Sequence, residues 1–313
     1  MIKRIYIFAV VLVLAGLGVF FLNKIQPSGC LTGAFLADKP VIKDIDAFKA
    51  EYAKDPFFIM VFADWGKFID HALVNDVYGR GSMLFITWEP WDAESKKPID
   101  YDGLISGEYD EYIKSFANGL SRIQKTVFIR FAHEPNGDWY PWSAALLGKD
   151  KYIAVVKHVR NVFNHSGVKN VRWVFSINWQ DRPPENKYYL CYPGDEYADY
   201  IGIDGYNWGD TRQWSRWTSF GNIFLNIYND IIKRYNKPVL ISEFGSASGG
   251  GDKCAWIKEA MSDIRRMKRI KGFVLFNTDK EADWSFTAGS GCAIELRKQL
   301  KDSYFLERPK REL

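Results

Sequence analysis

Histidine and cysteine are scarce, with four of each in 313 residues. Cys30, Cys191, Cys254 and Cys292 do not form the paired C-x-x-C spacing of a zinc site, and His71, His158 and His165 have no second ligand at metal spacing. No metal and no cofactor is expected. Charge of one sign is also lacking. The 42 basic and 38 acidic residues are interspersed along the chain, so no basic face is laid out to track a phosphate backbone, and nucleic acid is not expected as a partner. Only twelve prolines are present, and no Pro/Gly/Ser-rich linker divides the chain after residue 30. With 47% hydrophobic and 26% charged residues, disordered and collagenous classes are excluded.

Two features are abundant instead. One is an unbroken apolar run over residues 5–22, preceded by Lys3 and Arg4. Eighteen residues at about 1.5 Å each reach roughly 27 Å, close to the thickness of a bilayer core. The run is longer than the usual apolar stretch of a cleaved signal and lacks a clean small-x-small site. Residues 1–30 are therefore expected to form an uncleaved anchor, with the basic flank inside and residues 31–313 exported to the outer side of the cytoplasmic membrane. A cleaved secretory signal is the alternative. Export permits disulfides, and Cys254 with Cys292 is the pair expected, because both fall in neighbouring connections of the fold derived next. The other abundance is aromatic: 12 Trp, 17 Tyr and 22 Phe.

From residue 31 onward, short apolar runs alternate with amphipathic stretches. Strands are expected at 31–36, 57–63, 83–88, 127–132, 171–177, 200–204, 239–242 and 273–276. Helices are expected at 42–52, 68–78, 109–124, 151–164, 223–235, 256–268 and 294–300, the fifth connection being irregular. Eight βα units predict an α/β fold, a single (β/α)8 TIM barrel, whose active site lies at the carboxyl ends of the strands.

Read at those ends, Glu134 follows the fourth strand and Glu243 the seventh, nearly opposite across the ring. Two carboxyl groups facing one ligand are what hydrolysis of a glycosidic bond requires: one protonates the leaving oxygen, and the other attacks the anomeric carbon or activates water. Glu89 ends the third strand, Asn178 and Trp179 the fifth, and Asp38, Asp64 and Asp204 are further carboxyls at or shortly after strand ends. Arg130 lies on the same strand face as Glu134 by the two-residue alternation and is read as a charge partner of Glu243. Trp88, Trp139, Trp142, Trp179, Trp208 and Trp284 fall at or just past strand ends, where indoles stack on the C–H faces of sugars. Trp88 and Trp179 are read equally as packing. Trp214 and Trp217, in an irregular connection, are read as core or surface packing.

The segment Phe128-Ile129-Arg130-Phe131-Ala132-His133-Glu134-Pro135-Asn136-Gly137-Asp138-Trp139-Tyr140-Pro141-Trp142 resembles the strand-four signature of glycoside hydrolase family 26. Ile241-Ser242-Glu243-Phe244-Gly245 is similar to that family's strand-seven segment, and Thr87-Trp88-Glu89-Pro90 and Asp199 to Tyr206 add further matches. The resemblance implies that Glu134 is the acid/base and Glu243 the nucleophile of a retaining double displacement. It further implies that His133 bonds sugar hydroxyls, that Tyr206 orients the nucleophile, and that Trp139 and Trp284 flank the cleavage subsite. The implied activity is endo-acting hydrolysis of a polysaccharide by a monomeric enzyme. β-1,4-Mannan is the expected substrate; β-1,4- or mixed-linkage β-glucan, β-1,3-xylan, and a barrel that binds glycan without cutting it are the alternatives.

Overall fold

The computed structural model describes residues 29–310 apart from 39, 93 and 96. The expected anchor, residues 1–30 with its apolar run at 5–22, lies almost wholly outside the described residues. Among those, no helix is long and apolar enough to cross a membrane.

The apolar runs pair in parallel as β1 Gly33–Phe35, β2 Phe58–Asp64, β3 Met83–Glu89, β4 Val127–Phe131, β5 Val171–Asn178, β6 Tyr200–Asn207, β7 Val239–Ser246 and β8 Ile270–Phe276. Each is bonded to its successor, and β8 is bonded to both β7 and β1, so the sheet closes into the expected eight-stranded barrel. A further short segment, Cys30–Leu31, lies against β8 and takes the C-terminal segment Phe305–Leu306 as a parallel partner. The outer ring comprises α1 Ile42–Tyr52, α2 His71–Gly79, α3 Tyr101–Ser106, α4 Asp110–Ser121, α5 Ala144–Leu147, α6 Lys149–His165, α7 Phe220–Arg234, α8 Lys253–Arg266 and α9 Gly291–Leu300. Between β5 and β6 the chain makes only one turn of 3₁₀ helix, Tyr188–Leu190, so the fifth connection is irregular as its sequence predicts.

Differences from the sequence reading have local causes. Helices α7, α8 and α9 begin three residues before the apolar pattern does. Their starts are set by capping side chains: Ser219 accepts from the Asn222 amide, Asp252 from Cys254 and Ala255, and Ser290 from Ala293. Strands β6 and β7 run on to Asn207 and Ser246, because Gly245 pairs with Tyr206 and Ser246 with Asn207 although hydropathy has already fallen. The disulfide joins Cys254 in α8 to Cys292 in α9, with Cα atoms 4.3 Å apart, while Cys30 and Cys191 are buried thiols.

Strand alternation sorts the core into two layers. Phe58, Met60, Phe85, Phe128, Val174, Leu240 and Val274 fill the barrel interior, and a larger set including Ile59, Ile86, Ile129, Ile201 and Ile241 packs between the sheet and the helices. Above the interior aromatics the filling turns polar. Ser242 Oγ donates to Asp204 Oδ1 at 2.7 Å and Ser176 Oγ to Oδ2 at 2.9 Å. Space for those hydroxyls exists because residue 202 is glycine: a β-carbon there would lie 2.3 Å from Ser242 Oγ and 2.8 Å from Ser176 Oγ. Gly202→Ala is expected to destabilise the fold by about 1–3 kcal/mol through overpacking. A urea midpoint equal to wild type would show that the interior yields more easily than its geometry indicates.

Candidate active site

Glu134 sits on a constrained turn. Beyond the end of β4, Ala132 and Glu134 both take positive φ, 49° and 52°, a region costly for residues that carry a β-carbon. Neighbouring elements hold the turn in place. The Glu134 amide donates to the Ser176 carbonyl at 2.8 Å, the Ala132 amide to Trp88 at 3.1 Å, Trp142 Nε1 to the His133 carbonyl at 2.7 Å, and the Tyr152 hydroxyl to the Ala132 carbonyl at 3.1 Å. The carboxyl group so presented accepts from Trp139 Nε1 at 2.8 Å and from Asn178 Nδ2 at 2.9 Å. Gly137 lets the Trp139 ring fold back to make that contact, since a β-carbon at 137 would lie 2.5 Å from the indole. Burial, followed by the charges of Asp204 and Glu243, pushes the Glu134 carboxyl well above the usual carboxylate range.

Glu243 is positioned differently. The register of β7 against β6 shifts between Ile241, opposite Ile203, and Glu243, opposite Asp204, so Ser242 is an extra residue on the bulged strand. The bulge lets adjacent residues both serve the barrel mouth: Ser242 turns to Asp204, and Glu243 enters the cleft. Arg130 Nη2 donates to Glu243 Oε1, and the Tyr206 hydroxyl donates to Oε2. Arg130 has no exposed surface and also donates to Asp204 Oδ2 at 2.8 Å and Thr87 Oγ1 at 2.6 Å. Burial works against its charge, but the two adjoining carboxylates outweigh that and hold the guanidinium protonated more firmly than a free arginine. Asp204 is pushed up by burial, Arg130 opposing. The two glutamates thus differ in surroundings: one faces an indole and an amide, the other a cation and a phenol.

Both glutamates line one cleft of about 1120 Å³ at the barrel mouth. Of the residues singled out from sequence, Glu89, Trp139, Asn178, Trp179, Tyr206 and Trp284 also line it, with Trp208. Glu89 accepts from Trp91 Nε1 at 3.0 Å, and burial pushes its carboxyl up to about 7. Trp88 does not belong there. It lies between Thr87, which points inward to Arg130, and Glu89 in the cleft, so alternation turns its ring outward. There it is 0% exposed, stacked on Phe116 at 4.3 Å and Trp65 at 5.1 Å, and it is core. Trp142 is likewise buried, stacked on Tyr140 at 4.4 Å. His133 precedes Glu134 on the same turn and packs against the cleft-lining Tyr140 at 4.7 Å. It is buried against Tyr140 and Trp142; burial, with Arg130 and Lys280 adding to it, lowers its pKa well below the usual value.

Sequence reasoning missed other parts of the wall. Trp91, Asp138, Tyr140 and Lys280 line the cleft, Lys280 Nζ lying 3.2 Å from Asp38, the strand-end carboxyl that also lines it, and over the Phe62 ring at 4.4 Å. Trp91 and Tyr140 were within reach, since they follow the ends of β3 and β4 by two and nine positions. Lys280 sits in a loop without a pattern, so no sequence signal pointed to its pairing with Asp38. Trp214, read as packing, stands 70% exposed on the cleft wall.

Comparison with known proteins agrees with this geometry. The model of glycosyl hydrolase family 26 matches residues 52–308. Endoglucanase H of Acetivibrio thermocellus is 36% identical over 307 residues, 95% of this chain and 33% of that protein. A mannan endo-1,4-beta-mannosidase of Bifidobacterium adolescentis is 26% identical over 169 residues, 48% of this chain and 17% of that protein. This chain therefore spans a third or less of the length of these relatives. Among solved structures, the family 26 domain of an endo-beta-mannanase/endo-beta-glucanase from Prevotella bryantii superposes with a TM-score of 0.68 at 16% identity, covering 91% of this chain and 93% of that one. The family model covers most of the chain and the barrel is shared, so the chain is a member of glycosyl hydrolase family 26.

Proposed function

We propose that this chain is an endo-acting β-glycanase that cleaves internal bonds of a β-glucan with retention of configuration. The observation that carries the proposal is the pair of glutamates on one cleft in opposed surroundings. Glu134, buried against an indole and an amide, is the proton donor. Glu243, ion-paired with Arg130 and bonded by Tyr206, is the nucleophile. In the first step the Glu243 carboxylate attacks the anomeric carbon, the glycosidic bond breaks, and the Glu134 proton passes to the departing oxygen. In the second, ionised Glu134 takes a proton from water, whose oxygen displaces Glu243 and releases the sugar.

The choice of β-glucan over the β-1,4-mannan expected from sequence rests on extent of similarity. The endoglucanase is matched at 36% identity over 95% of the chain, the mannosidase at 26% over 48%. Incubation with lichenan, carboxymethylcellulose, mannan and β-1,3-xylan tests this, and new reducing ends are expected from a β-glucan. Release from mannan or xylan alone overturns the substrate. Binding without cleavage of any of the four overturns the enzyme and leaves a binding barrel. The proposal also keeps the barrel outside the cytoplasmic membrane as a monomer, held by residues 5–22; protease treatment of spheroplasts should remove the domain, and full protection would contradict that placement.

A pH dependence follows from Glu134. The donor must be protonated in the free enzyme, and the fold raises its pKa above the value of about 4.3 of an exposed glutamate. The alkaline limb of kcat/KM is therefore expected well above pH 5, and a limb at pH 4–5 contradicts the assignment. The stability change has a definite sign. The folded chain binds this proton more tightly than the unfolded chain, so stability falls as pH rises from the unfolded value through the folded one. Glu134→Gln removes that loss and is expected to gain on wild type across the same window.

A further inference from the structure

Tyr206, Trp284, Trp208 and Trp214 form a continuous file of rings leading from Glu243 to solvent. Tyr206 and Trp284 have ring centroids 4.6 Å apart, Trp284 and Trp208 4.8 Å, and Trp208 and Trp214 5.4 Å. Exposure rises over the outer three rings, from Trp284 at 1% through half-buried Trp208 to Trp214 at 70%. The outermost ring is the one whose exposure needs an explanation. A single exposed apolar side chain is ordinary on a surface, but this one lines the same cleft as both glutamates, and the loop beneath it is held in a fixed shape.

That loop connects β6 to α7. Ser215, adjacent to Trp214, is buried, and its hydroxyl both accepts from the Arg212 amide and donates to the Arg212 carbonyl, each at 3.2 Å. The Arg212 guanidinium lies 5.4 Å above the Trp208 ring and donates to the Glu281 carbonyl in the loop after β8. Thr211 Oγ1 donates to the Trp208 carbonyl at 2.7 Å. The hydrogen bonds close the loop upon itself and upon its neighbour, so Trp214 is presented on a braced support with its ring left to water. A rigid aromatic face at the end of a cleft, with its ordering cost met by the fold, is suited to a flat ligand bearing apolar C–H faces.

We propose that Trp214 is a distal sugar-stacking platform, binding a glycosyl unit remote from the scissile bond and making the enzyme favour long chains over short ones. The inference rests on the glycanase reading above and deepens it. Covering about 50–60 Å² of the indole corresponds to roughly tenfold in binding.

The test compares Trp214→Ala and Trp214→Phe with wild type on the polymer the enzyme cleaves and on the aryl disaccharide of the same sugar. The ratio of kcat/KM on polymer to kcat/KM on the disaccharide should fall about tenfold in Trp214→Ala, chiefly through KM on the polymer, and Trp214→Phe should recover most of it. A ratio within twofold of wild type, or an equal loss on both substrates, overturns the platform. Failure of the glycanase reading is separately visible, because the wild-type chain would then cleave neither substrate, and the platform would fall with it.

Discussion

Glu243→Ala is expected to lower kcat by about four orders of magnitude or more, equivalent to some 5 kcal/mol of lost transition-state stabilisation, with the fold intact. The covalent intermediate needs a carboxylate at this position, and the two carboxyls nearest in role are committed elsewhere. Glu89, another glutamate of the cleft, is engaged by Trp91, and Asp204 lies beneath, fully buried and held by Arg130, Ser176 and Ser242. Removing the side chain opens a space beside Arg130 and Tyr206 that a small anion can enter. Azide should therefore restore part of the turnover on an activated substrate and yield the α-glycosyl azide, because it attacks from the side that Glu243 occupied. In Glu134→Ala, azide should instead intercept the glycosyl-enzyme and give the β-glycosyl azide. Exchange of these two outcomes would exchange the roles, and wild-type rates in either variant would remove the residue from the chemistry.

The second large effect is on stability. Arg130→Met should destabilise the fold by about 3–5 kcal/mol, because it strips the guanidinium from Asp204 and Glu243 and leaves carboxylates buried with their cation gone. Arg130→Lys should recover only part of this. One ammonium cannot reproduce the fork that reaches Thr87, Asp204 and Glu243 together. Urea denaturation gives the magnitude, and Asp204→Asn in the Arg130→Met background should be less costly than the sum of the two single changes. Strict additivity, or a loss below about 1 kcal/mol, contradicts the view that the arginine is the electrostatic keystone of the barrel mouth.

Much of the barrel was legible in the sequence because the two strand faces and the helix faces obey different apolar periods, and each run shows its own. The carboxyl ends were harder. Residues such as Asn207 and Ser246 stay in the ladder while turning polar, since backbone pairing is indifferent to the side chain. Glu134 and Glu243 could be placed because a strand end locates a residue at the mouth whatever its exact rotamer. Trp88 shows the limit of that reasoning: one step from Glu89 in sequence, it faces the helices, because successive strand residues point to opposite sides. The β7 bulge shows the reverse case, where an inserted residue lets Ser242 and Glu243 both serve the mouth. Trp214 is read from sequence as packing, because an irregular connection offers no period that would place it in the cleft. What distinguishes it from a surface tryptophan is the bracing of its loop by Arg212 and Ser215, contacts made by side chains whose sequence neighbours carry no periodic signal.

The central claim, a double displacement on a β-glucan by Glu243 with Glu134 as proton donor, is tested most directly by proton NMR of the reducing ends formed in the first minutes of β-glucan hydrolysis. Retention predicts that the β anomer appears first and that the α anomer grows in only by mutarotation. Appearance of the α anomer first would show water attacking directly and would contradict the account.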